Sequence, residues 1–493
     1  MPLALLTRTS EEMTVLMKSI QRPKVVILGA GPAGLGAAYR LVHDHRFDVT
    51  ILERNEVVGG NAGSFALGGL RVDYGSHRLH PSCDQRVFHD IRTLLGDDLL
   101  ERPRHGRIHL NGKWIHFPLR LKDLLLSSSP AFAFGVGLDV INKLIGSGAN
   151  ARKRESFSTV LEAGLGQTIC RDFYFPYARK LWGVEPDVLS ATQAKRRVQA
   201  SSLFKMFRKI LGRVPGTQQG KPGIFFYPRG GFGQITEAYS TAAEAAGATF
   251  LFKTSVRALH VVGNRVHTVV AEHDGKEVRI PCDHVWSTIP LPALVRSLHP
   301  AVPTEMVACA ETLTFRSMVL VYIVLEQDRF TEFDAHYFPE TAIPISRLSE
   351  PKNYSLQGQS GMTVLCAEIP CSVKDSVWSM STEALGRLVL DTLTRLSLPV
   401  RGPVKEVLVK KLSHAYPVYL QGYERHFEAM DQYLEPISNL LTFGRQGLFA
   451  HDNTHHALFM AYAATDCLSP DGSFDRDRWR QYRAVFETHV VED

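Results

Sequence analysis

The chain has 493 residues, 44% hydrophobic and 22% charged, a balance that excludes a disordered or collagen-like protein. Its length exceeds what one hydrophobic core serves, so roughly two or three domains are expected. The net charge of +6 is mild, and without a stacking motif it gives no ground for a nucleic-acid binder.

Residues 1–22 lack the basic start, long apolar middle and small-residue cleavage site of a secretory signal, and read as a loosely docked leader. No run reaches about 18 uncharged apolar residues, so no membrane span is expected. The seven cysteines are scattered without a C-x-x-C pair, which reads as reduced thiols in a cytoplasmic protein.

The run KVVIL (24–28) reads as a strand and is followed by GAGPAG, which places Gly29, Gly31 and Gly34 in a tight turn. LGAAYRLV then continues as a helix, and DVTILE is a second strand ending at Glu53, 19 residues after Gly34. This order is a dinucleotide fingerprint in its required context. Gly29 permits the turn, Gly31 lets backbone approach a pyrophosphate, and Gly34 lets helix and strand pack closely. The helix N-terminus offers N–H groups to phosphate, and Glu53 can accept ribose hydroxyls. A second bare stretch follows at Gly59 and Gly60, with Asn61 next, where backbone can again lie against a phosphate or ring.

Further along, VDYGSHRLHPS (72–82) is a loop with two histidines, and IHLNGKWIHFPL (108–119) alternates around an N-G turn, a hairpin signature. The apolar stretch 122–146 is interrupted by Pro130 and Gly135, against one continuous helix. Between Lys195 and Lys221 lie eight Lys or Arg residues and no acids, interleaved with apolar residues. This stretch reads as a solvated helix with one buried face, or as a surface that meets anionic lipid or an anionic substrate. In FFYPRGGFGQITEAYSTAAEAAGATFLFKTSVRAL (225–259) the GGFG follows an apolar run but lacks the spacing of a second dinucleotide site. No G-x-S-x-G or H-E-x-x-H motif occurs, so neither a serine hydrolase nor a metal centre is expected.

An acid, five residues and then Gly-Gly resembles the flavoprotein superfamily that includes amine oxidases, protoporphyrinogen oxidase, phytoene desaturases and UDP-galactopyranose mutase. The likeness continues in the segments above, in FYFPYARKLWGVEPDVLSATQAKRR (173–197), VWSTIPLPAL (285–294), ISRLSEPKNYS (345–355) and LLTFGRQGLFAHDNTHHALFMAYAA (440–464). It implies an α/β, two-domain fold: a Rossmann-like FAD-binding domain with a parallel sheet, and an inserted substrate domain of antiparallel sheet and helices. The pieces would be 23–105, 223–300 and 436–470 for the first, and 106–222 with 301–435 for the second, including a helical part over 120–222. Residues 471–493 are left as a C-terminal tail. The resemblance implies that FAD is held by Gly29, Gly31, Pro32, Ala33, Gly34, Glu53, Arg54, Gly59, Gly60, Asn61, Gly75, Ser76, His77, Val256, Gly444, Arg445, Asp452, Asn453 and Thr454.

Two chemistries remain open. A hydride can pass from a small-molecule substrate to flavin N5, as in the oxidases and desaturases, with a base or polarising group beside it. Alternatively, reduced flavin can open and reclose a sugar nucleotide, which needs Arg and Tyr donors on a diphosphate. Asn61, Arg347 and Tyr416 match the mutase-like branch, but Leu448, Phe449, Ala450, His451 and Asp452 stand where its tyrosines are expected. Candidate catalytic residues are His77, Arg347, Tyr416 and His451, with His80 as a further histidine of the same loop as His77. Arg347 reads equally as an ion-pair partner of Glu350 or Glu368, Trp182 and Phe449 as cavity walls, and His455 and His456 as packing or capping residues. A third reading is a scaffold stabilised by FAD with no path to N5.

Overall fold

The structure is a computed structural model and describes residues 22–43, 46–117, 132, 134–139, 155–197, 223–356, 361–398 and 400–491. The leader up to residue 21, most of the 122–146 stretch and the basic stretch beyond Arg197 lie outside the described residues.

KVVIL forms the middle strand, Lys24–Leu28, of a five-stranded parallel sheet. Its residues from Val25 to Leu28 are buried, as a central parallel strand covered on both faces requires. From one edge the strands are Leu440–Thr442, His284–Ser287, Lys24–Leu28, Asp48–Leu52 and Thr249–Leu251. The second strand thus stops one residue before Glu53. Helix Pro32–Val42 covers this sheet and meets helix Thr454–Asp466 so closely that a Cβ at Gly36 would lie 3.0 Å from Leu458 Cδ2.

A seven-stranded, mostly antiparallel sheet runs in the order Val404–Pro417, Phe315–Leu325, Thr363–Cys371, Arg347–Ser349, Ala335–Tyr337, Gly106–Leu110 and Lys113–Phe117. Asn111 and Gly112 join the last two strands with φ of 52° and 76°, the backbone that an N-G hairpin turn needs. The strand Phe315–Leu325 is apolar almost throughout because both of its faces are covered. Val319, Val321, Ile323 and Leu325 pack with Leu385, Val389 and Leu393 of helix Thr382–Arg395. The alternate residues Met318, Leu320, Tyr322 and Val324 pack with Leu67, Leu70 and Val72 on the other side.

Residues 471–493, set apart in sequence as a tail, carry helix Arg476–Phe486, whose Trp479 and Phe486 are buried in the same cluster as helix Pro32–Val42. Among the described residues no helix is long and apolar enough to cross a membrane, and all seven cysteines are free thiols.

Candidate active site

The carboxyl end of the parallel sheet opens into a cavity of about 1070 Å³ that extends to the inner face of the seven-stranded sheet. At the near end the wall is mostly main chain. Gly29 takes φ +102°, and its N–H donates to Leu52 O at 2.8 Å, which locks the turn between the first two strands. A Cβ on Gly34 would fall 2.0 Å from Gly29 O, so the helix can start this close only with glycine. A Cβ on Gly31 would meet nothing within 4 Å and would project into open space. Glu53 is buried at this rim, where its carboxylate accepts from Ala30 N and Asn55 N, both at 2.9 Å. Gly59 donates its N–H to Ala30 O at 2.8 Å, pinning the second glycine loop onto the first.

At the far end the wall is made of side chains. Arg347 and Glu368, paired across neighbouring strands, form a two-pronged ion pair with both contacts at 2.9 Å. Glu368 also accepts from Ser76 N at 2.8 Å, which fixes the loop carrying His77. The His77 ring stacks on Phe232, and Nδ1 donates to Gly75 O at 3.3 Å, leaving Nε2 as an acceptor. Burial first, then the charges of Arg347 and Arg445, push the His77 pKa down to about 3. The imidazole is therefore neutral near pH 7 and is a poor proton donor there. Tyr416 lies under the Arg445 guanidinium, 5.1 Å from ring centre to carbon, and edge-on to His451 at 5.3 Å. Gln193 Nε2 donates to His451 Nδ1 at 3.2 Å.

A match to the family model for flavin-containing amine oxidoreductases runs over residues 32–462. The chain belongs to that family. Its cofactor is FAD. A phytoene dehydrogenase of Streptomyces griseus is 28% identical over 305 residues, 56% of this chain and 55% of that protein. A zeta-carotene-forming phytoene desaturase of Myxococcus xanthus is 27% identical over 299 residues, 56% of this chain and 54% of that protein. The chain thus spans about half the length of these curated relatives. Among solved structures, reduced UDP-galactopyranose mutase superposes with a TM-score of 0.75 at 20% identity, covering 96% of this chain and 99% of that one. Cyclohexylamine oxidase from Brevibacterium oxydans does so with 0.62 at 17% identity, covering 90% and 98%. These likenesses share the α/β fold of one parallel sheet and several mostly antiparallel ones.

The residues of this flavoprotein fit its cofactor. Helices Pro32–Val42 and Thr454–Asp466 both begin at the cavity, where Pro32, Ala33 and Thr454 line it, and neither has an acid in its first turn. Two positive helix ends thus face one cavity, an arrangement suited to a pyrophosphate at one and an electron-rich ring at the other. The volume matches the upper range of cofactor and substrate sites, about 300–1,000 Å³.

Most residues named from the sequence meet at this cavity. His77, Arg347, Tyr416 and His451 line it, as do Arg54, Gly60, Gly75, Ser76, Val256, Arg445, Asp452 and Asn453. Gly34, Gly59 and Gly444 do not; they stand behind the wall at close approaches, Gly444 with φ +80° and a would-be Cβ 2.6 Å from Ala33 Cβ. Asn61 reaches the cavity, but its amide donates to His414 O at 3.0 Å, tying the glycine loop to the long strand Val404–Pro417. Arg347 pairs with Glu368; Glu350 instead accepts from Phe330 N and Thr331 N. Trp182 and Phe449 are not cavity walls. Trp182 packs behind Tyr416 and His451, and Phe449 among Phe315, Tyr419 and Tyr423. His80 binds Ser82 away from the cavity, and His456 Nδ1 accepts from Asn453 N at 3.3 Å, a capping role. Sequence reasoning missed Gln193, His414 and Gln446, and offered Glu368 only as one of two partners for Arg347. The alternation of the long strands would have pointed to Met318, Leu320 and Leu412, which form an apolar patch of the wall.

Proposed function

We propose that this flavoprotein is a FAD-dependent oxidoreductase of the oxidase or desaturase type, acting on a mid-sized, largely apolar organic molecule. Bound FAD supplies a hydride acceptor. Met318, Leu320 and Leu412 of adjacent strands, with Leu181 and Tyr177, offer an apolar surface against which such a molecule can lie. Tyr416 and His451 stand at the same end and can orient a polar group of the substrate. His77, neutral, can accept a hydrogen bond at Nε2 without bringing charge.

The observation that carries this reading is the Arg347–Glu368 pair. A nucleoside diphosphate needs unneutralised cations, and Arg347, the arginine that matches the mutase-like branch, has its charge taken by a carboxylate with 4% exposure. The relatives include a phytoene dehydrogenase and a zeta-carotene-forming phytoene desaturase, in line with this reading.

Anaerobic mixing with a panel of lipophilic amines, polyenes and cyclic substrates is expected to bleach the flavin with at least one class. The reading fails if the whole panel leaves the flavin oxidised. A sugar-nucleotide mutase is the second reading, favoured by Lys410 and Lys411 at the cavity. It requires turnover by the dithionite-reduced protein only, and micromolar binding of a nucleoside diphosphate by calorimetry.

A further inference from the structure

Behind the closing helix, three metal-ligating side chains converge from separate parts of the chain. Asp452 precedes helix Thr454–Asp466, His456 lies in its first turn, and His489 follows helix Arg476–Phe486. One ligand atom from each lies within 4.8 Å of the other two. His489 Nδ1 is 3.2 Å from Asp452 Oδ2, and His456 Nδ1 is 3.8 Å from Asp452 Oδ1. The two imidazoles stack at 4.1 Å between centroids, with planes 12° apart. The Asp452 side chain is fully buried, whereas His456 and His489 keep 14% and 9% exposure. The cluster therefore has one side from which an ion and its water can enter.

We propose that Asp452, His456 and His489 form a binding site for a zinc-class divalent cation. One carboxylate oxygen and two imidazole nitrogens suit a borderline cation with a water in the fourth position, whereas magnesium or calcium would call for a set of oxygens. To reach the roughly 2.0–2.2 Å ligand distances such an ion needs, the two imidazoles turn out of their stack so that both lone pairs converge on it. The nearest competing charge is Arg196, whose Nη1 lies 3.8 Å from Asp452 Oδ1. Its other terminal nitrogen is paired with Glu487, so the guanidinium charge is partly taken up before an ion arrives. As the ion binds through Nδ1, the proton that His489 donates to Asp452 is carried on Nε2 instead, and the weak 3.3 Å contact from Asn453 N to His456 Nδ1 is given up. The consequence is structural. The ion clips the C-terminal segment to the loop that opens onto the flavin cavity, where Val491 also lies.

The test uses the full chain with FAD bound, stripped with a chelator and then titrated with Zn²⁺ by calorimetry and with Co²⁺ by absorption spectroscopy. The expected results are one ion per chain, an intense four-coordinate Co²⁺ spectrum and a thermal midpoint that rises with Zn²⁺. His489→Ala and His456→Gln should each weaken Zn²⁺ binding by more than the roughly 10–100-fold that loss of an outer-shell partner costs. Circular dichroism reports whether each variant is folded independently of flavin occupancy, and Asp452→Asn, at a residue that also lines the flavin cavity, provides a third, near-isosteric variant. The proposal is overturned if the wild type takes up no zinc, if the folded variants bind it as tightly, or if Co²⁺ stays octahedral.

Discussion

At the dinucleotide end of the cavity, Gly29, Gly31 and Gly60 come from one short run of chain and act through backbone, with Glu53 of the same run adding one buried carboxylate. At the other end, His77, Arg347, Glu368, Tyr416 and His451 arrive from strands and loops far apart in sequence and act through side chains. The first end is shaped by what is missing, a Cβ at each close approach. The second is held by pairing between groups that would be costly to bury alone. The two ends should therefore fail in different ways.

The largest effect is expected at Gly34. In Gly34→Ala the new Cβ would overlap Gly29 O, at 2.0 Å, and neither backbone segment can give way without dismantling the turn. Purified protein should be colourless, with its thermal midpoint far below wild type. Gly31→Ala is the control, because its Cβ has open space and its φ of −77° suits any residue. It should keep wild-type stability and lose flavin affinity. Full flavin occupancy in Gly31→Ala would mean that nothing approaches that backbone closely.

Next comes the pair at the far end. Glu368→Gln leaves the half-buried Arg347 guanidinium without its carboxylate and should cost about 3–5 kcal/mol in urea unfolding. The double change Arg347→Met with Glu368→Leu should cost less than Glu368→Gln alone, because no charge is then stranded. A double variant as unstable as the single one would mean that the pair's hydrogen bonds, rather than its charges, hold this wall.

These contrasts also explain what could be read in advance. The dinucleotide end was legible because its function needs particular residues at fixed local spacing: glycines at 29, 31 and 34 and an acid at 53. The hairpin at Asn111–Gly112 was legible for the same reason. Glu368 was visible only as one of two alternatives for Arg347, since strand register decides which acid lies across from it. Asn61 shared the glycine loop's spacing but is turned towards His414, a contact set by tertiary packing. Trp182 and Phe449 were placed one layer too far inward because hydrophobicity alone does not distinguish a wall from what stands behind it. The docking of Trp479 and the meeting of His489 with Asp452 join chain segments with no local relation at all.

Per pH unit a smaller effect, about 1.4 kcal/mol for each group, builds up in acid. Burial lowers the pKa of His77, and separately of His336, from 6.5 to about 3. Each binds a proton less readily when folded than when unfolded. Their contribution is thus complete above about pH 6.5 and is lost progressively as pH falls towards about 3. Urea midpoints measured across that window should fall steeply in the wild type, and His77→Gln should remove one group's share of the slope. An unchanged slope in that variant would mean that the ring is not held neutral by the fold.

The smallest effect belongs to the seam between the two ends. Asn61 donates to His414 O at 3.0 Å, and Gln446 donates to the same oxygen at 2.9 Å. In Asn61→Ala the carbonyl keeps one donor, so the loss should sit at the low end of the roughly 0.5–1.5 kcal/mol of a single hydrogen bond. Gln446→Ala should behave alike. The double variant should lose more than the sum of the two, because only then is the carbonyl stripped of both side-chain donors. Flavin affinity discriminates the roles. A tether between the glycine loop and the long strand predicts nearly unchanged affinity in Asn61→Ala. A drop of more than about tenfold, or about 1.4 kcal/mol, at unchanged stability would instead assign the amide to the cofactor. The seam would then belong to the dinucleotide end, and the division of the cavity into a backbone half and a side-chain half would have to be redrawn.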